Sequence, residues 1–510
     1  MIDINTIPFD DQKTWELIQG GMTCGVFQCE SKLVQGWLRK LKPKNIWELS
    51  AVISLVRPGC LQSSMTDQYY RNLQNESIES FNHPIIDDVF KTTNGIMIYQ
   101  ETLMSLGAKL AWPHYEEKKR KITVDILRKA VGKKNQQKIM EIGKEFVEGC
   151  LHNKVDKEIA ERLFEIIKNS GRYLFNLSHS IKYARIAYHT AYLKTHYPLP
   201  FYTTYMSYSK LKMKKWQELA RLIDEARIFG VPVLPPNINC KNPEFRIEND
   251  SIRYGLNHIK YFGGQTQEYL KSYPIINDWR LAMLVCFTDT YAPRLREPTA
   301  EALILSGCFR DCNIPRKTLY NIFQLFTKLT NRELDYCLEQ LSENQDFIDV
   351  KKIPELIQGC INNVCRGKRK LILTDTIKLL NLNEFDHPSW LEENEQQYMG
   401  IALSATSVDM SPQDHTGQCI NLHGEHYKGE YISINSVIEE IRFTETKKGK
   451  NPGQKMAIIK VYDQSGSSPN LPVFPDLFQL SSHLLIEKNT VHLKLSHSNT
   501  GWIIEDICAI

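Results

Sequence analysis

The stretch GRYLFNLSHSIKYARIAYHTAYLKTHYPLPFY, Gly171 to Tyr202, decides how this chain is read. Within it, the junction Phe175-Asn176-Leu177-Ser178-His179-Ser180 sets Asn, Ser, His and Ser just ahead of an aromatic-rich segment with helical spacing. A helix starting here leaves unpaired backbone N–H groups at the positive end of its dipole, which suits an anion. An ordinary cap by Ser178 or Ser180, with His179 on the surface, accounts for the same residues without a ligand. Further along, Lys182, Arg185, His189, Tyr192 and His196 share one face by their three-and-four spacing, while Ile181, Ala184, Tyr188 and Ala191 share another. The first face is basic and aromatic, and the second can pack. Pro198 and Pro200 end the helix.

Composition bounds what surrounds this stretch. With 42% hydrophobic residues, the 510-residue chain can fill the cores of roughly three or four domains. A net charge of +4 permits DNA as a partner but requires local basic patches to bind it. Thirteen cysteines, with no Cys-x-x-Cys and no histidine pair at zinc spacing, imply reduced, buried thiols and no structural metal. The N-terminus MIDINTIPFDDQ has no basic region followed by an apolar one, and runs such as Leu281 to Phe287 are too short to cross a bilayer. The expected location is the cytoplasm, with no membrane partner.

Upstream, Thr14 to about Leu55 is helical in pattern, and TCGVFQCES (23–31) is expected as a short strand or turn between helices. Ile53-Ser54-Leu55-Val56-Arg57-Pro58-Gly59 ends an apolar helix on a cation, with Pro-Gly as its stop. Asn94 to Glu101 is a turn and a short apolar run ending in Tyr99, Gln100 and Glu101. The region from Trp112 to Lys138 is the most basic of the chain, and Gly132 followed by Lys133 and Lys134 puts two ammonium groups where backbone can turn toward a phosphate. Residues 139–168 read as two amphipathic helices.

Downstream, Phe245 to Tyr254 has the alternation and central turn of a hairpin. Ile259-Lys260-Tyr261-Phe262-Gly263-Gly264 lies between helices in the manner of a helix-hairpin-helix turn. Residues 298–395 are mostly helical, with a basic loop Arg366 to Lys370 and an acidic, Asn-rich connector around Asn381 to Gln397. The last segment changes period. Ile432 to Phe443, Met456 to Tyr462, Leu471 to Phe474 and Val491 to Leu495 are short strands with polar turns, economically arranged as an OB-fold β-barrel. Lys447, Lys448, Lys450 and Lys455 at the first hairpin tip suit the phosphates of a single strand.

These segments fall in the order of a known family. TCGVFQCES at 23–31, LVRPG at 55–59, NGIMIYQE at 94–101, DILRKAVGKK at 125–134, FNLSHSIKYA at 175–184, YLKTHYP at 192–198, VLPPNIN at 233–239 and IRYGLNHIK at 252–260 carry the resemblance. The chain resembles the C-terminal half of the bacterial or phage DNA polymerase III alpha subunit, the C-family replicative polymerases. The resemblance implies a mainly α multidomain fold: polymerase fingers at 1–235, a helix-hairpin-helix DNA-binding region at 236–330, a helical connector at 331–415 and an OB-fold domain at 416–510.

In that family a palm domain, with an Asp-x-Asp pair among its acidic residues, holds two magnesium ions. No Asp-x-Asp occurs in this sequence, which begins where that palm should end and lacks the family's amino-terminal phosphoesterase-like (PHP) domain. The expectation is a fingers-to-OB subunit of a split DNA polymerase, inactive alone, whose Mg2+ resides in a separate palm-bearing polypeptide. The alternatives are a non-catalytic DNA-binding or polymerase-modulating protein of the same descent, or a fragment of a full-length enzyme. By position in the family's motifs, the resemblance implies that Arg57, Tyr99, Gln100, Lys133, Lys134, Asn176, Ser178 and His179 bind the incoming dNTP. Arg128, Lys129, Lys182, Arg185, Lys260, Gly263, Lys447, Lys448 and Lys450 are the residues expected to meet primer-template DNA.

This chain departs from the family at several of these positions. The family's lysine in its Asn-Lys-Ser-His-Ser segment is Leu177 here, and Lys182 and Arg185 are the candidates to replace the lost cation. Lys129 stands for an arginine and gives up bidentate geometry. The hairpin's first glycine is Tyr261. Gln324-Leu325-Phe326 lacks the spacing of a sliding-clamp peptide, so clamp binding has no clear motif.

Overall fold

A computed structural model describes residues 3–510 except 75–80, 82, 133–135, 171–172, 210–214, 242, 265, 267–271, 290–292, 383, 407, 409–414, 425 and 447–451. It divides into two compact units, Met1–Pro198 and Leu199–Ile510.

The first unit is helical. Gln12–Gln19, Lys32–Leu41 and Ile46–Leu55 start on Asp11, Ser31 and Asn45, whose side chains accept from the N–H of Thr14, Val34 and Glu48. The segment 23–31 is turn throughout, because Thr23 Oγ1 donates to the Cys29 carbonyl at 2.7 Å and Gly25 and Gln28 both take positive φ. Lys194, fully buried, donates to the carbonyls of Met22 and Cys24, each at 2.7 Å, and so fixes that turn on the helix Leu177–His196. The expected stop at Pro58-Gly59 is also a start: Pro58 opens the short helix Pro58–Gln62, where its missing N–H costs nothing.

A second core gathers Gln100–Leu106, Glu117–Gly132, Gln136–His152 and Lys157–Ser170 around Trp112, Leu103, Leu127, Phe146 and Leu163. The last two of these helices are the amphipathic pair expected over 139–168. Gly149 lets Gln136–His152 lie against the backbone at Ala111, since a Cβ there would come within 2.1 Å of the Ala111 carbonyl oxygen.

In the second unit, the expected hairpin is present as Arg246–Glu248 antiparallel to Ser251–Arg253, which in turn pairs in parallel with Val233–Leu234. The helices Trp279–Phe287, Glu297–Leu305, Arg316–Thr327, Asn331–Glu343, Ile353–Asn363 and Lys368–Leu379 follow. Leu325 and Phe326 are core residues at 2% and 0% exposure, so Gln324-Leu325-Phe326 presents no peptide to a clamp. The acidic segment read as a connector contains the helix Pro388–Met399, and part of the basic loop is the start of Lys368–Leu379. One charge from each segment has inward partners. Glu395, fully buried, accepts from Arg316 Nη1 at 2.9 Å and from the N–H of Leu403 and Ser404. Arg369 grips Glu333 through Nε and Nη2 at 2.8–3.1 Å.

The C-terminal sheet is antiparallel, in the order Gly466–Ser467, Lys455–Asp463, Tyr431–Glu445, Thr490–Ser498, Gly501–Ala509, with Leu471–Val473 also pairing with Lys455–Asp463. Tyr431–Glu445 pairs with Thr490–Ser498 over Tyr431–Val437 and with Lys455–Asp463 over Val437–Glu445, where the register shifts between Ile438 and Glu440. Ile434, Ile459, Val461, Leu493 and Trp502 fill the core. The arrangement is compatible with an OB-type fold, although the hydrogen-bonded path does not close into a ring among the described residues. Gly501–Ala509 went unread in the sequence: its inward side chains Trp502, Ile504 and Ile507 break strict alternation.

Two buried carboxylates give measurable expectations. Glu395→Ala strands Arg316 in the core, and the urea midpoint of the second unit should fall by an amount corresponding to about 3–5 kcal/mol. The Arg369 guanidinium holds the Glu333 carboxyl down at about 2. The ordinary glutamate value is roughly 4.3, so this stabilisation is complete above that pH and is lost as pH falls through the lower value. Glu333→Gln should flatten the acid limb of stability against pH in that window.

Candidate nucleic-acid interface

The first unit assembles most of the predicted nucleotide residues around one short contact between distant chain segments. Tyr99 and Phe175 form a parallel bridge, with Phe175 N–H donating to the Ile98 carbonyl and Gln100 N–H to the Phe175 carbonyl, both at 2.9 Å. This brings residues 98–101 alongside the start of Leu177–His196.

Beneath the bridge lies a cluster of buried hydroxyls. Ser180 Oγ lies 2.9 Å from Ser50 Oγ and 2.7 Å from Ser54 Oγ, while Tyr99 OH lies 2.9 Å from Ser50 Oγ. All four residues are at most 5% exposed, and burial pushes the Tyr99 phenol above its ordinary value. Tyr99 therefore turns its polar atom inward and positions Phe175, without an open face of its own.

The helix begins at Leu177 and is capped by Asn176, whose side chain accepts from His179 N–H at 2.8 Å; neither Ser178 nor Ser180 caps it. Nor are its N–H groups as open as the sequence implied. Glu101 accepts from the Leu177 N–H and from Asn176 Nδ2, each at 2.9 Å. The carboxylate sits where an anion was expected. The free polar surface lies beside it, on exposed Ser178, His179, Lys182 and Arg185.

Arg57 closes one side of this surface. Its guanidinium lies 3.5 Å from the centroid of the Phe175 ring, and among the described residues it has no carboxylate partner. Partial burial lowers its proton affinity from the ordinary value, which still leaves it charged. Gly59 lets the LVRPG turn lie against Tyr173, whose ring would be 2.6 Å from any Cβ there. From Phe175 the aromatic surface continues through His179 at 5.5 Å and Tyr183 at a further 4.0 Å to Phe27, stacked on Tyr183 at 5.0 Å and 4°.

Other predicted residues are engaged differently. Asp125 pairs with Arg128 at 2.7 Å and Lys129 at 2.6 Å, and Arg128 Nη1 also reaches Gln100 Oε1 at 3.4 Å. On the face expected to be basic, His196 is paired with Asp11 at 2.9 Å and His189 stacks on Phe9 at 5.4 Å, so only Lys182 and Arg185 leave it exposed. The opposite face packs as expected, with Ala184, Tyr188 and Ala191 fully buried. Lys133, Lys134, Lys447, Lys448 and Lys450 lie outside the described residues. Lys260 and Gly263 belong to the second unit.

The sequence reading passed over Glu101, Tyr183, Phe27 and the inner hydroxyls. Ser50 and Ser54 had a legible signal, since two serines on one face of an apolar helix need hydrogen-bond partners once that face is buried.

Residues 1–154 match the bacterial DNA polymerase III alpha subunit finger domain, and 230–319 match a helix-hairpin-helix motif. The chain belongs with the DNA polymerase III alpha subunits. It is 28% identical over 515 residues to DNA polymerase III subunit alpha of Aquifex aeolicus, covering 99% of this chain and 39% of that protein. The Staphylococcus epidermidis subunit is 29% identical over 488 residues, covering 94% and 40%. That of Staphylococcus aureus strain Mu50 is 33% identical over 359, covering 70% and 33%. The chain thus spans well under half the length of these relatives. No helix among the described residues is long and apolar enough to cross a membrane.

Ser180→Ala removes the hydroxyl that both inner serines use. It should lower the stability of the first unit by about 1–3 kcal/mol in a urea titration, because buried polar partners are left unsatisfied.

Proposed function

We propose that this chain supplies the fingers of a template-directed DNA polymerase, binding incoming dNTP and primer-template DNA together with a separate palm-bearing polypeptide. The observation that carries the reading is Arg57, a half-buried guanidinium stacked on Phe175 with no ion partner among the described residues. An unpaired, partly desolvated cation beside an exposed Ser178-His179 pair is arranged to meet a triphosphate.

Glu101 refines where that triphosphate lies. Its carboxylate repels phosphate from the Leu177 N–H and leaves Arg57, Ser178 and His179 as the receiving groups. The surface of Phe175, His179 and Tyr183 offers a base or sugar an aromatic wall. Lys182 and Arg185, one helical turn apart and exposed, extend positive charge along the same helix for the DNA backbone. Closing such a surface only over a correct base pair would turn binding energy into fidelity.

Among the described residues no group of three or more His, Cys, Asp or Glu side chains could hold a metal ion. In this proposal Mg2+ sits in the partner's palm, where it activates the primer hydroxyl and stabilises the pyrophosphate leaving group. In the same proposal a sliding clamp is a further partner of the assembled enzyme, and the cytoplasm is its location.

The test is primer extension with magnesium and four deoxynucleotides, using this chain, a candidate palm polypeptide, and both together. Extension is expected only from the mixture. Arg57→Ala should reduce it about 100-fold or more while leaving thermal stability near the unsubstituted value. A mixture that neither extends a primer nor forms a complex, with this chain still binding DNA, would transfer the reading to a non-catalytic DNA-binding protein.

A further inference from the structure

Glu101 stands at the start of Leu177–His196 because the two residues before it are pinned. Tyr99 is buried with its hydroxyl on Ser50, and the Gln100 N–H donates to the Phe175 carbonyl at 2.9 Å. The next side chain is held over the helix start, where Oε2 accepts from the Leu177 N–H and Oε1 from Asn176 Nδ2, each at 2.9 Å. Asn176 is fixed at its other end as well, since its Oδ1 accepts from the His179 N–H at 2.8 Å. The carboxylate can leave only by releasing both of its donors.

Those donors are neutral. Glu101 is half-buried and has no cation partner among the described residues. The positive end of the helix dipole stabilises a carboxylate at this point, which is how the charge is kept without one. The same junction, Phe175 to Leu177, also carries the unpaired Arg57 guanidinium, 3.5 Å from the centroid of the Phe175 ring. Two opposite charges thus meet one short segment and form no ion pair with each other. Pairing would cancel both, whereas unpaired they give the site an attracting group and a repelling one.

We infer that Glu101 is a specificity-determining residue of the nucleotide site, an internal anion that weakens the hold on phosphate in proportion to the charge the ligand carries. It fills a helix start that would otherwise take phosphate from any source. Each further phosphate on a ligand is repelled by the fixed carboxylate, so the cost rises along the series from monophosphate to triphosphate. A nucleotide offsets that cost through the aromatic surface of Phe175, His179 and Tyr183. Pyrophosphate, the product of the proposed reaction, has no base with which to do so and is released. The inference rests on the reading of the first unit as nucleotide-binding.

The experiment measures how dAMP, dADP, dATP and pyrophosphate compete with a fluorescent dATP for the full chain, at low salt and without divalent metal. It compares the unsubstituted protein with Glu101→Gln, Glu101→Ala and a charge-matched control, each checked by thermal melting. The control is Glu158→Gln, an exposed acid in the first turn of Lys157–Ser170. Glu101→Gln, which keeps an acceptor for the Leu177 N–H, should tighten dAMP about twofold and dATP and pyrophosphate about tenfold. Glu101→Ala should shift the series in the same direction, and the control should match the unsubstituted protein. A folded Glu101 variant that binds dATP more weakly makes Glu101 a support of the helix start and overturns the inference, leaving the nucleotide site intact. Equal tightening of dAMP and dATP, or equal tightening by the control, overturns it too. Failure of the unsubstituted chain to bind the fluorescent dATP overturns the nucleotide reading and the inference with it.

Discussion

The candidate site depends on a contact made out of its sight: the buried hydroxyls of Ser50, Ser54, Tyr99 and Ser180, which satisfy one another between two helices and the residue that caps a third. Buried polar groups that lack partners are costly, and those that find each other hold a single geometry. Fixing Tyr99 fixes its bridge to Phe175, and Phe175 is the ring on which Arg57 lies. The position of the half-buried Arg57 guanidinium is therefore set by groups beneath the surface. Lys194 does similar work at the other end of the helix, where it ties the 23–31 turn to it through two carbonyls.

Charge in the first unit is sorted into paired and unpaired groups. Asp125 engages Arg128 and Lys129, Glu101 occupies the helix start, and Asp11 engages His196. Arg57, Lys182 and Arg185, on and beside one helix, have no ion partner among the described residues. A net charge of +4 spread over the chain would attract a polyanion weakly, whereas a few unpaired cations on a rigid surface offer specific contacts.

The second unit uses buried charge for construction. Arg316 and Glu395 join three helical segments at a point with almost no water, and Gly307 leaves room for the guanidinium, whose Nη2 would lie 2.2 Å from a Cβ there. Glu392, also buried, bonds Tyr462 of the sheet. Asp224 accepts from Ser467 at 2.7 Å, so the helix Lys215–Ile228 is pinned to the sheet through the Gly466–Ser467 strand. Burial raises the Asp224 carboxyl above its ordinary value despite nearby Arg227.

Local signals carried far in this chain. Helical period, Pro and Gly stops, the Phe245–Tyr254 hairpin and the shift to short strands after residue 430 follow from φ/ψ preferences and side-chain alternation, which act over a few residues. The ordered motifs carried the polymerase III alpha resemblance and placed Arg57, Asn176, Ser178 and His179 in the candidate site. Distance along the chain set the limit. That Glu101 would cap a helix start 76 residues away, that Ser180 would turn inward to Ser50, and that Tyr183 would meet Phe27 are outcomes of packing between remote segments. Hydrogen bonds and stacking at that range depend on which surfaces a core brings together, so the sequence alone determined which residues were chemically able to bind, and only the tertiary structure decided which of them were left free to do so.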